Sequence, residues 1–178
     1  YLVKMLSEIK LLSEEDIARI TTHNANELFN LGLPRPKNEV MYNIRDSLYL
    51  NITNRCTDNC AFCVRNKNDF VKGHNLKLET EPSIEETLEA IGDPAGYKEI
   101  VFCGYGEPTL RLDVVIAVSK ELKKRGLNVR LVTNGHGNLI NNRNIADDLK
   151  GIIDRVSVSL NTDTKDSYNK FCRPILGG

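Results

Sequence analysis

The chain has 178 residues, 40% of them hydrophobic and 27% charged, enough for the core of one ordinary domain. Basic and acidic residues balance at 24 each, so no global positive field points to nucleic acid, although a local basic groove stays open. No apolar run approaches a membrane span and the start carries no signal-peptide pattern, so a cytoplasmic protein is expected; five cysteines, three of them clustered, do not make a secreted disulfide framework.

The chain starts at Tyr1, which reads as a fragment with its beginning removed. Residues 1–33 have a helical pattern. Ser13-Glu14-Glu15-Asp16 resembles a capping box, Ile17 and Ile20 follow at helical spacing, and Thr22 is placed to cap a second helix carrying Ala25, Leu28 and Phe29. Gly32-Leu33-Pro34-Arg35-Pro36 breaks that pattern, and 34–46 reads as a linker. From residue 47 to 178, short apolar strands alternate with longer amphipathic helices. Strands are expected over 48–52, 99–103, 128–132 and 155–160, and helices over 84–91, 112–125 and 144–149. Such alternation predicts an α/β fold with a parallel sheet, whose ligands lie beyond the carboxyl ends of the strands.

Each of those four ends carries chemistry. The first strand runs into Cys56-Thr57-Asp58-Asn59-Cys60-Ala61-Phe62-Cys63, a loop of soft sulfur ligands suited to iron-sulfur or zinc chemistry. Three thiols are one short of a closed site, so either a fourth ligand lies elsewhere or one position is open. The second strand ends in Cys103-Gly104-Tyr105-Gly106-Glu107-Pro108, whose glycines would let backbone amides approach a ligand and whose Glu107 adds a negative charge. The third ends in Thr133-Asn134-Gly135, and the fourth carries Ser157 and Ser159 and ends in Asn161.

Cys56-x3-Cys60-x2-Cys63 with Phe62 before the last cysteine, followed by Gly-Tyr-Gly-Glu-Pro at the next strand end, resembles the radical S-adenosylmethionine enzymes. The resemblance implies a partial (β/α) barrel, here truncated to roughly four of six units, so that an exposed sheet edge and weak cofactor binding are expected of this stretch alone. It also implies that Cys56, Cys60 and Cys63 bind a 4Fe-4S cluster, with S-adenosylmethionine as the missing ligand and Phe62 near the adenine. Gly104, Gly106 and Glu107 fall in the stretch matching the family's Gly-Gly-Glu motif, with Tyr105 replacing the first glycine, and would hold the methionyl amino group. Thr133 and Asn134 would lie near the carboxylate and ribose, and Ser159 and Asn161 near the ribose. The implied reaction is reductive: an external electron donor, cleavage to a 5'-deoxyadenosyl radical, and hydrogen abstraction from an unknown substrate.

More narrowly, 49–56, 102–108 and Cys172-Arg173-Pro174 resemble the TatD-associated radical S-adenosylmethionine proteins, and residues 13–29 are similar to the closing helices of TatD-type metal-dependent hydrolases. A TatD-like hydrolase domain fused upstream is the partner this implies, although the segment lacks that family's metal-binding motifs.

Two rival readings use the same cysteines. A structural zinc module would take His74 or Cys103 as fourth ligand, and a thiol redox protein would use Cys60-x2-Cys63. Cys103 and Cys172 otherwise read as packed structural thiols, Arg65, Asn66 and Arg173 as solvated surface, and His23, His74 and His136 as isolated polar residues.

Overall fold

A computed structural model describes residues 1–176. Two helices, α1 (Leu2–Lys10) and α2 (Glu14–Phe29), precede a five-stranded sheet. The sheet contains β1 (Met41–Ile44), β2 (Ser47–Leu50), β5 (Glu99–Phe102), β6 (Val129–Thr133) and β7 (Arg155–Val158), in that spatial order; a hairpin of β3 (Phe70–Val71) and β4 (His74–Asn75) stands apart. Between the strands lie α3 (Ile84–Ile91), α4 (Leu112–Lys124), α5 (Gly137–Asn141) and α6 (Ala146–Leu149), and α7 (Lys165–Cys172) follows β7. β2, β5, β6 and β7 run parallel, so their carboxyl ends share one rim, whereas β1 pairs antiparallel with β2.

The period-2 pattern explains the layering. Leu48, Leu50, Ile100, Phe102, Val129 and Leu131 are buried in one cluster with Val114, Val115, Val118 and Leu122 of α4 and Ile91 of α3. Each such side chain contributes about 1.5–3 kcal/mol when fully buried. Ser83 and Glu86 form a reciprocal capping box that starts α3, and Gly92, at φ 54, ends it.

Two expectations change. First, residues 34–46 are more than a linker: 41–44 forms β1, and Tyr42 sends its hydroxyl to the Cys103 carbonyl at 2.9 Å. Tyr42-Asn43 lacks the continuous apolar character that marks a buried strand, so only pairing with β2 identifies it. Second, no helix break occurs at Thr22. Ser13 accepts from the Asp16 amide at 3.0 Å and α2 then runs unbroken to Phe29, without the reciprocal half of a capping box. α2 is also docked. Asp16 is buried and pairs with Arg19, the Arg19 Nε donates to the Lys72 carbonyl at 3.2 Å, and His23 stacks on Phe70 with centroids 4.2 Å apart.

The remaining expected strands and helices shift by only one or two residues at their ends. β7 is the outer strand of the sheet, and Val156, Val158 and Leu160 are exposed there. Among the described residues no helix is long and apolar enough to cross a membrane.

Phe102, fully buried between the sheet and α4, should be the costliest single truncation in this core: Phe102→Ala is expected to lower unfolding free energy by about 3–5 kcal/mol in urea denaturation.

Candidate functional site

The run entering the cysteine loop is braced before the first thiol. Buried Asn51 donates to the Leu76 carbonyl at 2.7 Å and the Glu39 carbonyl at 3.0 Å, and accepts from the Tyr105 amide at 2.9 Å. Asn54 exchanges two bonds with the backbone of Leu78, at 2.7 and 3.0 Å. Glu81 receives the Thr53 hydroxyl, a forked pair from Arg55 at 2.8 and 2.9 Å, and Arg111 at 3.3 Å. The Arg55 fork comes first in holding the Glu81 carboxyl below the usual carboxylate range, against the opposing effect of burial.

Cys56, Cys60 and Cys63 are all unpaired and half-buried. Arg65, expected as solvated surface, instead grips this loop. It donates to the Asn54 carbonyl at 2.8 Å and the Asp58 carbonyl at 3.1 Å, and its Nε lies 3.4 Å from the Cys63 sulfur. Burial pushes the Cys56 thiol up, against the Asp58 amide and Arg65, and burial together with neighbouring Cys172 pushes Cys60 up to about 12. His74 has both ring nitrogens engaged, by Glu39 at 2.8 Å and the Asn43 carbonyl at 3.1 Å. Among the described residues no three His, Cys, Asp or Glu side chains gather around one ion's position. Three unbridged, partly open thiols on one braced loop, with a cation beside them, do fit the sulfur ligands of an iron-sulfur cluster.

The glycine loop behaves differently from expectation. A Cβ on Gly104 would stand 2.3 Å from Asn51 Oδ1, and one on Gly106 would stand 2.2 Å from the Arg55 carbonyl. These glycines let the loop press against the base of the cysteine loop, and the Tyr105 and Glu107 amides bond to Asn51 and Arg55 rather than standing free for a ligand. Glu107 is buried. Its Oε1 accepts from the Thr109 amide at 3.0 Å, the Thr109 hydroxyl at 2.7 Å and the Thr133 hydroxyl at 2.8 Å, and its Oε2 accepts from the Asn134 amide at 2.8 Å. The carboxylate expected to face an ammonium is therefore committed mainly to the fold, with one acceptor direction left on Oε2. The Thr133 hydroxyl is committed with it.

Asn134 does face the cysteine loop: its Nδ2 donates to the Thr57 hydroxyl at 2.8 Å and Asp58 Oδ2 at 3.1 Å, with Cys56 sulfur 3.9 Å away. Phe62 is 58% exposed, and Ser159 and Asn161 are exposed at the end of β7, with the Ser159 amide bonded to the Thr133 carbonyl at 2.9 Å. Cys103 is half-buried and raised by that burial, while Cys172 is fully buried.

Sequence reasoning passed over a second set of residues here. Asp58 is buried, Tyr168 donates to its Oδ2 at 3.1 Å, and His136 lies between Thr57 and Tyr168 at 2.9 and 3.1 Å. Burial first, then the Asp58 carboxylate, pushes the Tyr168 phenol up, so it stays a donor. Beside this cluster, the end of α7 straps the cysteine loop: the Asn59 amide bonds the Cys172 carbonyl at 3.0 Å, the Ala61 amide the Phe171 carbonyl at 2.8 Å, and the Ile175 amide the Thr57 carbonyl at 2.8 Å. Cys172-Arg173-Pro174 was the available signal, but nothing local tells where it docks.

Known proteins supply the context for this arrangement. The family model described as the Radical SAM superfamily matches residues 50–176. A probable GTP 3',8-cyclase from Methanocaldococcus jannaschii is 33% identical over 128 residues, which cover 71% of this chain and 40% of that protein. A solved structure of TYW1 with a lysine-pyruvate adduct bound aligns with a TM-score of 0.48 at 19% identity, over 72% of this chain and 46% of that one. The chain thus spans less than half the length of either relative.

Gly106→Ala would drive a Cβ into backbone carbonyls that cannot rotate away, so a loss of about 3 kcal/mol is expected by chemical denaturation. Glu81 gives a pH test. Its folded-state pKa is depressed, so its contribution is present above the unfolded value and is lost as pH falls through the folded one. Stability of the wild type should drop below about pH 5, and Glu81→Gln, less stable at neutral pH, should show a shallower acid limb in melting temperature against pH.

Proposed function

Because this chain belongs to the radical SAM superfamily, we propose that it holds a 4Fe-4S cluster through Cys56, Cys60 and Cys63 and binds S-adenosylmethionine across the shared strand rim to start a radical reaction on a substrate. The single observation that carries this is the three free, half-buried thiols on one braced loop at the end of β2, where the matched family region begins. When bound, the cluster and cofactor supply one-electron reduction, carbon-sulfur cleavage and hydrogen-atom abstraction.

The chain's own residues have the remaining tasks. Arg65 and Asn134 orient the cysteine loop and place positive charge or donor protons near its sulfurs. Gly104 and Gly106 keep the second loop close, and the Oε2 of Glu107 offers one acceptor for the cofactor's ammonium. Phe62 and the exposed Ser159 and Asn161 are assigned to the adenine and ribose. An external donor delivers the electron. A cytoplasmic setting, where thiols stay reduced, suits this centre. Likeness of residues 13–29 to the closing helices of TatD-type hydrolases supports a hydrolase domain working upstream in the same chain.

Anaerobic reconstitution of a longer form of the protein, carrying the remaining strand-helix units, with iron and sulfide, followed by reduction and addition of S-adenosylmethionine, should yield 5'-deoxyadenosine and methionine. Replacing Cys56, Cys60 and Cys63 by alanine should abolish both the cluster's absorbance and the product; product that survives those replacements would sink the proposal.

A further inference from the structure

The hydrogen bonds beneath the cysteine loop form one connected path. Asn134 Nδ2 donates to the Thr57 hydroxyl at 2.8 Å, Thr57 meets His136 Nδ1 at 2.9 Å, His136 Nε2 meets the Tyr168 hydroxyl at 3.1 Å, and Tyr168 donates to Asp58 Oδ2 at 3.1 Å. A neutral imidazole carrying its proton on Nε2 gives every donor in this path an acceptor, and the path ends on the carboxylate. Asp58 is only 2% exposed, and its other oxygen, Oδ1, has no hydrogen-bond partner; the nearest basic nitrogen is His136 Nδ1 at 3.7 Å. A buried carboxylate with one oxygen unpartnered is costly, even though its Oδ2 accepts from the Tyr168 hydroxyl and from Asn134 Nδ2 at 3.1 Å each.

Its position gives it a use. Asp58 sits in the turn between Cys56 and Cys60, its own amide 3.5 Å from the Cys56 sulfur, and the strap from α7 clamps the residues on both sides. Tyr168 on α7 and His136 after β6 thus reach the loop from two distant parts of the chain. Charge and hydrogen bonding around the sulfurs are what set the potential of an iron-sulfur centre.

We propose that Asp58, His136 and Tyr168 are positioning residues for the metal centre, fixing the turn between Cys56 and Cys60 and placing one buried carboxylate beside the thiolates, where it lowers the potential of the bound cluster. The proposal rests on the cluster assignment made above. Tyr168 partly neutralises the carboxylate by donating to it, so removing that hydroxyl and removing the charge act in opposite directions.

Potentiometric titration of the reconstituted protein, followed by electron paramagnetic resonance, reads this directly. Asp58→Asn should raise the cluster midpoint potential and Tyr168→Phe should lower it. Unmoved potentials, or shifts of the same sign in both variants, overturn the proposal, because a loop that is merely loosened has no reason to respond in opposite senses. If Asp58→Asn takes up no iron, Tyr168→Phe decides alone: a lowered potential supports the proposal and an unchanged one overturns it. A wild-type protein that assembles no cluster overturns the functional reading and this proposal with it, whereas an intact wild-type cluster with unmoved variants overturns this proposal alone.

Discussion

The buried carboxylate of Glu107 is the interaction on which the rim depends. Four donors from three residues in two separate stretches, Thr109 on one side and Thr133 with the Asn134 amide on the other, converge on its two oxygens, so the loop after β5 and the end of β6 are held as one piece. Hydrogen bonds to an ionised acceptor are worth about 1.5–3 kcal/mol each, and leaving such a group unbonded inside the protein costs more. Because Asn134 begins where Glu107 holds the backbone, its side chain is aimed at Thr57 and Asp58 and not at solvent.

From there the order passes to the cysteine loop through close contacts. Gly104 and Gly106 permit an approach that any side chain would block, Asn51 joins the same loop to the segment after β4, and Glu81 gathers Thr53, Arg55 and Arg111. The loop is held on its other side by α7. What results is a set of thiols on a loop braced from both sides, with Arg65 and Asp58 as opposed charges near them. Metal binding must displace protons from thiols, two of which, Cys56 and Cys60, burial pushes up, so a braced loop limits the conformational entropy lost at the same step.

Much of this was legible from residue order. Alternation at Leu48 and Leu50 and the helical stripe through Val114, Val115, Val118 and Leu122 are local patterns, and local patterns specify local elements. Tight cysteine spacing is likewise readable, because soft ligands that close together in sequence have few other uses. Other features were not readable. The strand at 41–44 exists because β2 offers it an edge, and α2 continues past Thr22 because its Arg19 and His23 face finds the β3 and β4 hairpin.

Residue types and spacing by themselves determined the α/β alternation, the order of four polar strand ends and the family to which they belong. Only the tertiary structure decided what each polar group does. Glu107 turned inward to bind its own chain, Arg65 left solvent for two carbonyls and a sulfur, and His136, isolated in sequence, joined Asp58 and Tyr168 across 78 and 32 positions of chain. The physical reason is that a polar side chain is committed by its nearest partner in space, and for these groups that partner lies on another element, whose approach is set by the sheet and its crossovers.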